Sequence, residues 1–106
     1  MKRIYAKSYF LTYPKCDIPK ETALGLIRQC DNHEIIEYVV AEEKHEDGSP
    51  HLHAFIKYDK KVEWKPTKWD ISDFHGEYQV SRSWNAVKTY CKKDGNFIAN
   101  IDTESA

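Results

Sequence analysis

The chain opens with IYAKSYFLTY (4–13), where aromatic and β-branched residues interleave with polar ones. This pattern predicts a strand, and Pro14 ends it. Asp17 and Pro19 then supply helix-start chemistry, and Ala23, Leu24, Ile27 and Cys30 recur at helical spacing, predicting a helix to about His33. EIIEYVVAEE (34–43) is apolar throughout its middle, as expected of a strand at the centre of a sheet. HEDGSP (45–50) has turn composition, and HLHAFIKYD (51–59) returns as the antiparallel partner. Residues 60–73, interrupted by Pro66, read as a loop anchored by Trp64 and Trp69, and GEYQVSR (76–82) reads as a further strand. SWNAVKTYCKKDG (83–95) predicts a helix capped by Ser83 and Gly95, with Trp84, Val87 and Cys91 on its buried stripe. NFIANI closes the chain as a short strand. This order predicts an α+β fold: a central antiparallel sheet of about five strands flanked by helices, ferredoxin-like in character.

A length of 106 residues, 41% hydrophobic and 31% charged, fits one globular domain with a modest core. No apolar run approaches the ~20 residues of a membrane helix, so no membrane role is expected. Cys16, Cys30 and Cys91 are odd in number and widely spaced, which points to free thiols rather than a disulfide framework or zinc knuckle. The net charge is −1, unusual for a nucleic-acid-binding domain, but the charges are segregated. Residues 31–47 carry seven carboxylates against Lys44. Basic residues gather near the start, again over 57–68, and as Arg82, Lys88, Lys92 and Lys93. Such a division suits a cation site set within an anion-binding surface.

The candidate chemistry starts at PHLHAF (50–55). Strand alternation sends His51 and His53 to one face and Leu52 to the other. The preceding strand ends in Glu42 and Glu43, whose side chains point to opposite faces, so only one can join the histidines. Periodicity does not choose between them, because Val39, Val40 and Ala41 are all apolar. Two imidazoles and a carboxylate, with no thiolate, favour Mg²⁺ or Mn²⁺ and also accommodate Zn²⁺ or Fe²⁺. On the later predicted helix, Tyr90 and Lys93 are three residues apart and share a face. A phenol near a cation is a better nucleophile, and a divalent ion polarises phosphoryl oxygens. Together these groups suit phosphodiester transesterification. Two other classes fit parts of the pattern. A passive single-strand binder would use the basic residues with Tyr58, Phe74 and Tyr78, leaving the His pair unused. A non-haem iron oxygenase would use two His and a carboxylate, leaving Tyr90 and Lys93 unused.

FLTYP (10–14), PHLHAF (50–55) and YCKKDG (90–95) resemble, in order and spacing, the three motifs of the HUH endonuclease domain of replication initiators (Rep) from circular single-stranded DNA viruses. The HLH form with FLTYP and KKDG is most similar to geminivirus-like and genomovirus-like initiators. FHGEYQVSRSW (74–84) resembles the extra segment of the geminivirus type. The resemblance implies an RRM-like HUH fold, with His51, His53 and Glu43 holding Mn²⁺ or Mg²⁺; Glu43 follows from the family's spacing of the acidic ligand. It implies Tyr90 as the nucleophile that forms a 5′-phosphotyrosine and frees a 3′-OH, with Lys93 assisting. DNA recognition is expected to involve Phe10, Thr12, Tyr13, Tyr78, Arg82, Lys88 and Lys92. The implied partners are single-stranded DNA at a stem-loop origin and the host replication machinery, in the host nucleus. Full-length relatives oligomerise, whereas this domain is expected to be monomeric. The family's helicase domain has no counterpart here, so residues 1–106 read as an isolated nicking domain.

Overall fold

Burial alternates along the first strand because each successive side chain points to the opposite face. In β1 (Tyr5–Tyr13), Tyr9, Leu11 and Tyr13 are fully buried, while Ser8, Phe10 and Thr12 lie on the other face. The computed structural model describes residues 3–44, 46–81 and 96–100. The helix expected over 83–95 lies outside them.

After β1 come α1 (Lys20–Arg28), β2 (Ile35–Lys44), β3 (Pro50–Glu63), β4 (Glu77–Val80) and β5 (Phe97–Ala99). They form one five-stranded sheet in the order β4-β1-β3-β2-β5, with every neighbouring pair antiparallel. Inserting β3 between β1 and β2 leaves those two strands parallel to each other, joined by α1. This is the split β-α-β of a ferredoxin-like α+β fold, as the sequence predicts. The strand at the middle of the sheet is β3, not β2, although β2 is interior, between β3 and β5.

One face of the sheet carries the main core. Ala23, Leu24 and Ile27 of α1 pack there against Tyr9, Leu11, Val40, Leu52, Ala54 and Ile56. The segment after β3 folds beneath the same face and is pinned by Trp69, which is fully buried and donates through Nε1 to Tyr58 Oη at 2.9 Å. Trp64 anchors the same segment through Nε1 to the Tyr78 carbonyl at 2.8 Å. The opposite face bears a smaller cluster in which Val39 and Phe55 are buried beside Phe10, Phe97 and Ala99.

Two boundaries differ from expectation. The helix ends at Arg28, not near His33. Its last turn tightens as Gln29 and Cys30 donate to Leu26 and Ile27, and Asp31 then accepts the His33 amide at 2.8 Å and the Lys68 ammonium at 2.6 Å. β3 runs on through the polar residues Asp59, Lys60 and Lys61 to pair Val62 and Glu63 with Ala6 and Tyr5, across an irregularity between Ala6 and Ser8.

Candidate metal and nucleic-acid site

The second face of the sheet gathers the candidate residues through cross-strand register. Glu43 pairs with His51, while Ala41 and Thr12 flank His53 on either side. Directly opposed residues in a ladder share a face, so Glu43, His51, His53 and Thr12 all point the same way. Glu42 pairs with Leu52 and points to the core side. The Gly48 backbone has φ +84°, a conformation that glycine adopts without steric cost and that lets the hairpin close in this register.

Within this face, His53 Nε2 lies 3.0 Å from Glu43 Oε2, and both side chains are about nine-tenths shielded, at 13% and 14% exposure. The other ring nitrogen, Nδ1, is 3.5 Å from Thr12 Oγ1. Phe10 stacks on the same imidazole, with centroids 5.7 Å apart and planes inclined by 21°. His51 Nε2 is turned towards Ser49 Oγ at 3.3 Å, and Ser49 Oγ donates to Asp47 at 2.6 Å. Among the described residues, no three His, Cys, Asp or Glu side chains are drawn together around one point. Glu43 and His53 are in contact, and His51 shares their face with its ring held by the turn.

Glu42 has a different task. Its Oε2 accepts the Lys20 backbone amide at 3.1 Å and the Lys20 ammonium at 3.2 Å. α1 begins after Pro19 with no side-chain cap of its own, so this carboxylate from β2 serves the exposed amides and positive dipole of its first turn.

Tyr13 and Tyr78 correct the expected DNA-contacting set. Both are buried on the core face, Tyr13 donating to the Trp69 carbonyl and Tyr78 to Asp70. Burial pushes both phenols well above their ordinary pKa, for Tyr78 with further help from its Asp70 hydrogen bond. They support β1 and β4 from beneath and are not presented to a ligand. Phe10 and Thr12 lie on the site face, in contact with His53. Tyr90, Lys93, Arg82, Lys88 and Lys92 fall outside the described residues.

The sequence matches the geminivirus Rep catalytic domain over residues 2–103. The chain belongs to this family. It is 40% identical over 105 residues to the replication-associated protein of Cabbage leaf curl virus (isolate Jamaica), an alignment covering 90% of this chain and 30% of that relative. The Rep-type domain thus spans about a third of its curated relative's length.

In this Rep-type domain a cleft of about 510 Å³ runs past the strand ends, lined by Cys16, Asp17, Glu42, Glu43, Lys44, Pro50, His51 and Asn96. The sequence pattern puts Asp17, Ser49 and Asn96 in a helix start, a turn and a strand, and not at the site. Only Ser49, two residues from His51 in a tight turn, left a signal that could have been used. Cys16 is buried, and that burial raises its thiol pKa, which disfavours thiolate and leaves imidazole and carboxylate as the donors here. No helix among the described residues is long and apolar enough to cross a membrane.

Proposed function

We propose that this domain is a metal-dependent, sequence-specific endonuclease and strand transferase. It would nick single-stranded DNA at a viral stem-loop origin through Tyr90 and so start rolling-circle replication. The observation that carries the reading is the distribution of tyrosines. The chain has seven. Tyr9, Tyr13, Tyr58 and Tyr78 are buried in the core beneath the sheet, Tyr38 packs against that core, and Tyr5 lies at the far end of β1. None of these six shares the face of His51 and His53 near the hairpin end. Tyr90 is the remaining phenol, and residues 82–95, which carry it, connect β4 at one edge of the sheet to β5 at the other.

The donor set fits a hard divalent ion, Mn²⁺ or Mg²⁺: one carboxylate and two neutral imidazoles on one face, with coordination positions left for substrate oxygens. Glu43, His51 and His53 would hold it, with His51 turning from Ser49. When bound, such an ion polarises the scissile phosphate and offsets the charge developing on it. The Tyr90 oxygen attacks phosphorus, a phosphotyrosine bond forms to the 5′ side, and the 3′ oxygen leaves and takes up a proton. Lys93, three residues away, favours the phenolate and orients the phosphate. The freed 3′-OH then serves a host polymerase in the nucleus.

The test is to incubate the protein with stem-loop origin oligonucleotides and Mn²⁺ and resolve products under denaturing conditions. A covalent protein–DNA adduct is expected from the parent and none from Tyr90→Phe, with folding and DNA binding kept. An adduct from the Phe variant refutes Tyr90 as nucleophile.

A further inference from the structure

We infer that Thr12 is a positioning residue for His53, its hydroxyl accepting the Nδ1 proton and thereby reserving Nε2 for the metal. This rests on the proposed metal site and assigns to Thr12 a role other than touching DNA.

Three contacts define the His53 ring. Thr12 stands directly across from it on β1, with Oγ1 3.5 Å from Nδ1. Phe10, two residues earlier on the same face of β1, lies nearly parallel to the ring and sets its plane. Glu43 Oε2 lies 3.0 Å from Nε2, at the opposite side of the imidazole. The ring therefore has a polar partner at each nitrogen, and the two partners differ in kind. A carboxylate beside Nε2 can share a cation with it. A hydroxyl beside Nδ1 offers no such site, but it can accept a proton. A neutral imidazole carries one proton, and the nitrogen without it is the ligand. Without an ion the nearer Glu43 carboxylate would take the Nε2 proton; with a cation between Nε2 and Glu43, the Thr12 hydroxyl accepts the proton at Nδ1 and favours the tautomer whose Nε2 lone pair faces the ion. Outer partners of this kind fix tautomer and ring orientation, and losing one typically costs ten- to a hundredfold in metal affinity.

The geometry also explains why the contact is long. β1 and β3 hold their backbones at ladder spacing, so a short β-branched side chain reaches the imidazole only at its limit.

The experiment compares Thr12→Val, which keeps the branched shape without the hydroxyl, with Thr12→Ser, which keeps the hydroxyl alone. Mn²⁺ affinity is read from the electron paramagnetic resonance signal of free Mn²⁺, without DNA. The Zn²⁺-loaded protein, labelled with ¹⁵N-histidine, reports which nitrogen carries the proton. Expected are at least a tenfold loss of Mn²⁺ affinity in the Val variant, near-parent affinity in the Ser variant, and a protonated His53 Nδ1 in parent and Ser protein. Parent-like affinity in the Val variant, or an equal loss in both variants, overturns the inference while leaving the metal site standing. A zinc complex bound through Nδ1 does the same. A parent that binds no Mn²⁺ overturns the metal site itself and this inference with it.

Discussion

Replacing Gly76 with alanine places a methyl group where β1 already is. A Cβ built on Gly76 would lie 2.1 Å from the Thr12 carbonyl oxygen and 3.0 Å from both the Thr12 carbonyl carbon and Tyr13 Cδ1. Carbon and oxygen do not approach within about 3 Å without bonding, so the segment must retreat by about 1 Å. The obstacle is backbone in a paired strand, so no side chain can rotate aside. Overpacking of this kind costs about 1–3 kcal/mol, and the rigid neighbour puts Gly76→Ala at the upper end. Retreat would also stretch the 3.1 Å hydrogen bond from the Gly76 amide to Tyr78 Oη, worth about 1 kcal/mol. The sum is about 3–4 kcal/mol, or roughly 13–18 °C in Tm for a chain of this size. Gly25→Ala is the control. A Cβ at Gly25, exposed on α1, meets nothing within 4 Å, so the same substitution should raise Tm through helix propensity worth about 0.5–1 kcal/mol. Thermal unfolding followed by circular dichroism measures both. A Gly76→Ala protein melting within about 4 °C (about 1 kcal/mol) of the parent would refute the argument, because it would mean the loop yields freely where β1 holds Thr12.

Three further outcomes follow from the site and its supports. Glu43→Gln should raise the Mn²⁺ concentration needed for cleavage at least tenfold, whereas Glu42→Gln should titrate with Mn²⁺ like the parent and lose about 1 kcal/mol of stability at the α1 start; the reverse pattern in activity and melting assays would mean the hairpin pairs one residue out of register. For Asp31, burial pushes the carboxyl pKa up, but hydrogen bonds from Lys68 and from the His33 amide and ring outweigh it and leave the pKa below its ordinary value. Its stabilisation is therefore complete above the unfolded value of about 3.9 and lost as pH falls through the lower folded value, so Asp31→Asn should flatten the denaturation midpoint against pH in that acid range. Neutralising Lys88, Lys92 or Arg82 should weaken binding to all oligonucleotides about equally and reduce its salt dependence, measured by fluorescence anisotropy; unequal losses across sequences would assign that residue to base reading instead.

The strands were legible because their apolar runs are bounded by strong punctuation: Pro14, the Asp47-Gly48 turn and Gly76. What escaped depended on partners distant in sequence. Asp31 reads as one more polar residue of a helix until Lys68 and His33 are seen to claim its carboxylate. Residues 60–63 read as loop because the pairing that carries β3 to Glu63 comes from Tyr5 and Ala6 of β1, more than fifty residues earlier. Tyr13 is a different case. Parity along β1 separates it from Phe10 and Thr12, so its burial was available from alternation alone; grouping it with them by motif obscured the alternation. Glu43 is the reverse, since the apolar run before it made both parities acceptable and only pairing across the hairpin distinguishes it from Glu42.

That pairing bears on which insertions the hairpin can absorb. Lengthening the turn between Lys44 and Pro50 by a residue leaves the Glu43–His51 partnership untouched, because the strands on either side keep their register. A residue added inside β2 or β3 exchanges the faces of everything on one side of it, unless a bulge takes it up. It would send the helix tether to the histidines and the site carboxylate into the core. A turn of a different length would therefore change the number of residues separating the acid from the first histidine without changing which residue stands across from which.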